Sequence, residues 1–197
     1  MFLLSRPSQS YIASFLEKCE SDRFSYSETG ATDGEIPAGY NVDHNRVLLG
    51  EGLETLERAK DATRRWQMFA FDWVEIIPGH APIEVGTNVA ILIRHLGFWS
   101  LNSSRIVYVV DEERPLDRYG FAYGTLTEHG EVGEERFLVE FDRETGEVWY
   151  DLLAFSRPRA LLARVGYPIS RHLQRRFAED SKAAMIDYVG SDPSNRT

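Results

Sequence analysis

Glu135-Arg-Phe-Leu-Val-Glu-Phe-Asp142, a four-residue break at Arg143–Gly146, and then Glu147-Val-Trp-Tyr-Asp-Leu-Leu-Ala-Phe-Ser156 decide the fold. In the first run Phe137, Val139 and Phe141 alternate with Arg136, Glu140 and Asp142. A strand sends successive side chains to opposite faces, so the Phe face is the buried one. The second run gives Val148, Tyr150, Leu152 and Ala154 inward, with Glu147 and Asp151 outward. A break this short predicts a hairpin, because a parallel crossover needs a dozen residues or more.

Working outward, the same reading predicts strands over Phe69–Ile77, Thr87–Leu96, Arg105–Asp111 and Arg118–Leu126. In the third of the six runs, Arg105 and Asp111 share a face, which turns Ile106, Tyr108 and Val110 inward. In the fourth, Tyr119, Phe121, Tyr123 and Thr125 point inward. The outer face there is Gly120, Ala122, Gly124 and Leu126. Such small residues admit a close neighbour, such as the N-terminal segment, or ease strong bending. After Ser156-Arg-Pro158 the pattern becomes helical near Arg159, with Leu161, Leu162 and Val165, then Ile169, Leu173, Phe177, Ala184, Met185 and Tyr188. Gly166-Tyr-Pro168 interrupts it, since Pro168 suits the start of a helix. A kink there is predicted, followed by a long helix to about Tyr188, with Arg171, His172, Arg175 and Arg176 opposite its apolar stripe. The fold class is α+β: an antiparallel six-strand meander wrapped around a long C-terminal helix, with N-terminal helices.

The N-terminal third reads as support. Ser8 is placed to cap a helix to about Glu20, in which Tyr11, Ile12, Phe15, Leu16 and Cys19 recur at helical spacing. Phe24–Glu28 alternates like a strand, and Thr29–Tyr40 reads as a loop. Asp43-His-Asn-Arg46 is expected in a turn or in salt bridges, because one histidine without spaced partners makes a poor metal site. Gly50-Glu-Gly52 lacks both nucleotide-loop signatures and instead turns the chain into a helix, Leu53–Met68. Its stripe is Leu53, Leu56, Ala59, Ala62 and Trp66. Residues 1–189 are expected to form one domain and 190–197 a disordered tail.

The chain has 197 residues, 43% of them hydrophobic and 12% aromatic, with a net charge of −9, which suits one globular domain with a real core. The acidic balance argues against a nucleic-acid partner. No apolar run is long enough to span a bilayer, and Met1–Pro7 lacks the apolar length of a signal peptide, so a cytoplasmic location is expected. Cys19 stands alone, which rules out an internal disulfide.

Four stretches carry a resemblance: Arg105-Ile-Val-Tyr-Val-Val-Asp-Glu112, Tyr119-Gly-Phe-Ala-Tyr-Gly-Thr-Leu126, His129 with Gly133-Glu-Glu-Arg-Phe137, and Ala154-Phe-Ser-Arg-Pro158. It extends to Gly39-Tyr40, Gly50-Glu-Gly52, Trp66 with Phe69, Pro82-Ile83 with Gly86, and the helix bearing Gln174. With these the chain resembles the domain-of-unknown-function family numbered nineteen-ninety. That resemblance implies kinship with the START-like (SRPBCC, helix-grip) proteins, which include lipid carriers, polyketide cyclases and the birch-pollen-allergen class. It implies the same meander and long helix, and it brings no catalytic residue.

A meander gripping one helix can enclose a cavity, and the derived inner face is aromatic with several hydroxyls. Tyr108, Tyr123, Thr125, Tyr150, Phe121 and Phe137 are therefore the expected ligand-binding residues, for a hydrophobic or aromatic small molecule. His129 with Glu134 and Glu135 is the candidate for acid–base work, although a hairpin connection explains such residues as well. Arg105 and Arg157 are candidate contacts for an anionic head group, set against structural hydrogen bonds. No metal or cofactor is implied, and there is no nucleophile elbow. Ligand binding leads; an enzyme of cyclase or isomerase type in the same cavity and an interaction protein with a filled core are the alternatives.

Overall fold

The computed structural model describes residues 2–113, 117–158 and 167–191. Among the described residues, eight strands form a single antiparallel sheet. They are β1 (Phe2–Leu3), β2 (Asn41–Glu51), β3 (Val74–Ile77), β4 (Asn88–His95), β5 (Phe98–Glu112), β6 (Asp117–Thr125), β7 (Glu131–Phe141) and β8 (Glu147–Pro158). The order across the sheet is β2-β8-β7-β6-β5-β4-β3, with β1 paired to β5. Helix α1 (Gln9–Cys19) lies on the outer face, while α2 (Gly52–Arg64) and the long α3 (Tyr167–Gly190) cover the inner one. This is the helix-grip arrangement that the spacing predicts, with β3 to β8 as the meander.

The sheet has one strand more on its path than the six expected. Asp43-His44-Asn45-Arg46 lies inside β2, which pairs with β8 along its length rather than turning. As an edge strand β2 buries nothing fully, so its sequence lacks apolar alternation. The salt-bridge half of the expectation holds: His44 Nε2 lies 2.6 Å from Asp151 Oδ2, and Arg46 lies 2.8 Å from Glu140. Phe24–Glu28 forms only an isolated bridge, Phe24 to Leu126. At the other edge, Phe69–Ile77 shortens to Val74–Ile77. Gln67–Phe69 is a 3₁₀ turn, and the aromatic side chains that suggested a strand plug the core instead. Conversely, β5 starts at Phe98, because Ser100, Asn102, Ser103 and Ser104 are buried despite their polarity.

Helix α1 is capped as expected, Ser8 Oγ accepting from the Tyr11 backbone N–H at 3.2 Å. In α2, Leu56, Ala59 and Ala62 are buried, as is Trp66 just beyond its end, whereas Leu53 is 64% exposed at the helix start. Helix α3 buries Ala178, Ser181, Met185 and Val189 at three- and four-residue intervals. Leu173, Phe177 and Tyr188 pack partly buried beside them, and Ile169 faces outward. The helix is therefore well buried over its second half, which also meets α2 through Tyr188 and Asp61, and more open over its first. The expected short helix from Arg159 with Leu161, Leu162 and Val165, and residues 192–197 of the expected tail, lie outside the described residues.

Candidate functional site

One row of side chains across the inner face organises the site. Ladder register aligns Asp43 on β2, Ala154 on β8, Glu135 on β7, Tyr123 on β6 and Ile106 on β5. The row divides the face in two. Toward one end the rings of Trp66, Phe69, Phe121, Phe137 and Phe177 interlock, with centroid spacings of 4.7 Å for Trp66–Phe121, 5.3 Å for Phe121–Phe137 and 5.3 Å for Phe69–Phe177. Phe121 and Phe137, expected to line a cavity, belong to this packed stack. Toward the other end the lining is small or polar. Ala154 lies on an interior strand beneath the helix, yet keeps accessible surface, as do Ser156, Glu131 and Glu135.

Glu135 carries the electrostatics. Its Oε2 accepts the Tyr123 hydroxyl at 2.6 Å. Burial disfavours the charged carboxylate and lifts the group to about 7, against the Tyr123 hydrogen bond, which lowers it; Glu131 and Asp43 add to the rise by like-charge repulsion. Burial likewise pushes the Tyr123 hydroxyl well up, so it stays a donor at any physiological pH. Beside them, α3 reaches down with polar side chains. Gln174 Nε2 donates to Glu131 Oε2 at 2.7 Å and to Ser156 Oγ at 2.8 Å, and Ser170 donates to Glu131. Arg171 pairs with both oxygens of Asp43 and bonds Gln174 Oε1. Tyr150, deeper under α3, bonds Ser181 at 2.8 Å. Among the described residues no group of three His, Cys, Asp or Glu side chains comes together as a metal would require.

Two neighbours expected to act together are separated. Glu134 and Glu135 are consecutive on a strand, so they occupy opposite faces. Glu134 points outward and is 2% exposed. It accepts from Tyr26 Oη at 2.6 Å, the Gly30 N–H at 2.7 Å, the Thr32 N–H at 3.0 Å and the Thr32 hydroxyl. It thus anchors the 26–32 segment across the back of the sheet. His129 is not in the site either: its Nδ1 accepts the Glu131 backbone N–H at 3.0 Å in the β6–β7 connection.

Tyr108 is a correction. A bulge at Val107 shifts the register between Ile106 and Tyr108, so Tyr108 aligns with Ala122 on the outer face while Val109 takes the inner one. One inserted residue flips every side chain after it. Val110, expected inward, moves outward with it. Since Thr32 gives its proton to Glu134, the Tyr108 hydroxyl donates to Thr32 Oγ1 at 2.8 Å. Thr125 is held by the backbone of Gly133, whose N–H it accepts at 3.0 Å, and by Ser25 at 2.6 Å. The anion contacts are also corrected. Arg105 donates to the carbonyls of Cys19, Glu20 and Asp22 and to Asn88, closing the end of α1. Arg157 stacks on Tyr40, 4.6 Å from the ring centre, on the outer face.

Residue spacing alone did not single out Asp43, Ser104, Ser156, Ser170 or Arg171 for the inner face. Asp43 and Ser104 sit in strands whose alternation is masked by polar residues. The helix residues look solvent-facing because they lie on the half of α3 that packs loosely.

A solved hypothetical protein of Helicobacter pylori, jhp0584, superposes with a TM-score of 0.54 at 12% identity, covering 78% of this chain and 91% of that one. Human STARD10 gives 0.50 at 13% identity, covering 93% and 82%. At such identities both likenesses speak for the fold alone. In sequence, the chain is 40% identical to a UPF0548 protein of Deinococcus radiodurans over 96% of its length and all of the relative's. It is 36% identical to a UPF0548 protein of Dictyostelium discoideum over 100% of this chain and 99% of that one. The profile described as domain of unknown function DUF1990 matches residues 25–184, and the chain belongs to that family.

Proposed function

We propose that this protein binds a compact hydrophobic or aromatic molecule in the cleft floored by Ala154, walled by Asp43, Glu131 and Glu135, and roofed by the first half of α3. The observation that carries this reading is Glu135, a carboxyl set beneath a helix where burial opposes its ionisation. A side chain serving only to fill the core would be apolar, and strongly shifted groups in clefts cluster at functional sites. The Tyr123 ring, backed by Phe137 5.3 Å away in the packed stack, bounds the cleft on its apolar side, while Glu135 and Ser156 offer polar anchors. The aromatic stack occupies the rest of the interface, which favours a short ligand over a long acyl chain.

A second reading rests on the same pair. A carboxyl titrating near 7 beside a tyrosine hydroxyl suits proton transfer, so an isomerase- or cyclase-type reaction is the enzymatic form of this proposal.

The test is native mass spectrometry of protein purified from its own host. A non-covalent adduct is expected on the wild-type chain and is expected to vanish in Ala154→Trp, which fills the cleft floor. Bare protein in both samples overturns the proposal in favour of an interaction protein with a filled core.

A further inference from the structure

We infer that the outer edge of β2 pairs with the same strand of a second copy, joining two sheets into one across a two-fold axis at Asn45. An edge strand turns every second N–H and C=O away from its one neighbour, and folded proteins guard such rows. The two edges of this sheet are β2 and β3, and they are guarded unequally. Strand β3 is four residues long, is followed by Pro78, and carries Glu75 tied to Arg6. Strand β2 is eleven residues long and holds neither proline nor lysine, and its bulge comes only after Leu48. Among the described residues the backbone of Val42–Leu48 pairs with β8 alone. The helices leave this row accessible: the inward-facing Asp43, Asn45 and Val47 all keep surface, and the outward-facing Val42 and Leu48 are 50% and 40% exposed. The strand's charges are turned back onto its own protein. Asp43 is held by Arg171, His44 by Asp151, and Arg46 by Glu140 and the face of Trp149.

Self-complementarity makes the partner a second copy. An antiparallel pair with Asn45 opposite Asn45 sets Val42 against Leu48 of the other copy, twice over, so the exposed apolar side chains cover each other. His44 then faces Arg46, each already held by its own carboxylate. Sliding the pair by two residues loses this match: Val42 meets Arg46 in one direction, and Arg46 meets Arg46 in the other. The contact is isologous and uses the unguarded edge of both copies, so it closes at a dimer instead of growing into a fibre. Seven paired residues fall short of the about 800 Å² per partner of a standard interface, so the dimer is a weak one, forming at about 10–100 µM.

The test is sedimentation velocity on the full chain from about 5 µM to about 1 mM, with deuterium uptake measured at both ends of that range. The wild type is expected to pass from monomer to dimer, and uptake at the Val42–Leu48 amides to slow as it does so. Val42→Lys with Leu48→Lys sets like charges opposite each other at both contacts and should weaken association about tenfold or more. Val42→Lys with Leu48→Glu sets opposite charges there and should restore it to within about threefold of the wild type. Both positions are exposed, and thermal melting of the dilute variants checks that they fold. Val42→Lys alone provides a second reading if either double variant folds poorly, and should weaken association in the same direction. A wild type that stays monomeric throughout, including one whose edge takes up an added foreign strand, overturns the inference. So does a dimer that responds alike to the two double variants, because its contact then lies elsewhere.

Discussion

Glu134 and Glu135 are the same residue type on the same strand, and they live in different chemistry. Glu134, on the outer face, is surrounded by four donors from Tyr26, Gly30 and Thr32. Glu135, on the inner face, accepts from the Tyr123 hydroxyl, has two carboxyl neighbours, and is pushed up to about 7. The outer carboxylate is satisfied by a segment that the chain itself lays over it. The inner one is left with acceptor capacity and some accessible surface. A carboxylate of the first kind builds structure, and one of the second kind is what the proposed binding site requires.

The largest effect expected is at the satisfied residue. Glu134→Ala strands the Tyr26 hydroxyl and at least one buried N–H, at about 1–3 kcal/mol each, for a loss of roughly 3–5 kcal/mol in chemical denaturation. The 26–32 segment should become protease-sensitive at the same time. A loss below about 1 kcal/mol would break the distinction between the two glutamates.

Glu135→Gln should act in the opposite direction. The folded state holds the Glu135 proton between its ordinary value of 4.5 and about 7, whereas the unfolded chain has released it. More protons bound in the folded state mean that this group's contribution to stability falls as pH rises across that window. Gln does not titrate and still accepts from Tyr123. The variant should therefore match the wild type near pH 4 and be more stable at pH 8, by at most about 3 kcal/mol at about 1.4 kcal/mol per pH unit. Equal stability at both pH values would show that Glu135 is ionised and well solvated.

The outer face offers a third test. A Cβ on Gly124 would lie 2.1 Å from the Tyr26 hydroxyl oxygen, whereas at Gly120 it would meet the Phe137 carbonyl at 2.0 Å. Gly124 thus admits the N-terminal segment, the first of the two roles open to these small residues, and Gly120 lets the neighbouring strand come close. Gly124→Ala should cost about 1–3 kcal/mol by forcing Tyr26 off Glu134. In a Tyr26→Ala background that cost should shrink, which a double-mutant cycle measures.

Much of this architecture was legible because alternation is strong wherever one face is aromatic. Phe137, Val139 and Phe141 place β7, and Val148, Tyr150 and Leu152 place β8. Legibility failed where periodicity is broken by something local. The bulge at Val107 leaves no mark in composition, so Tyr108 was read onto the wrong face. Strand β2 lies at an edge and needs no buried residue in every second position. For the site, Tyr123 and Glu135 were visible as an inward tyrosine and a nearby acid, but which of two adjacent glutamates faces inward depends on register. The pairing of Asp43 with Arg171, 128 residues apart, depends on tertiary structure and has no local signature.

Tyr123→Phe gives the smallest expected effect at low pH and sharpens the comparison most. The change removes one oxygen and almost no volume, so any effect passes through Glu135. At pH 5.5, where Glu135 holds its proton, the variant loses a neutral hydrogen bond, worth about 0.5–1.5 kcal/mol. At pH 8 the wild-type bond is to a carboxylate and is worth about 1.5–3 kcal/mol, so the destabilisation should grow with pH. The hydroxyl also holds the Glu135 pKa down, and its removal should raise that value further, visible as a shift in the carboxyl carbon titration by NMR. Tyr108→Phe is the matched control, because its hydroxyl donates to Thr32 on the outer face and touches no titrating inner group. It should cost a similar amount at both pH values. If both variants respond to pH alike, the inner face holds no group that titrates near neutrality, and the case for Glu135 as the centre of the site fails.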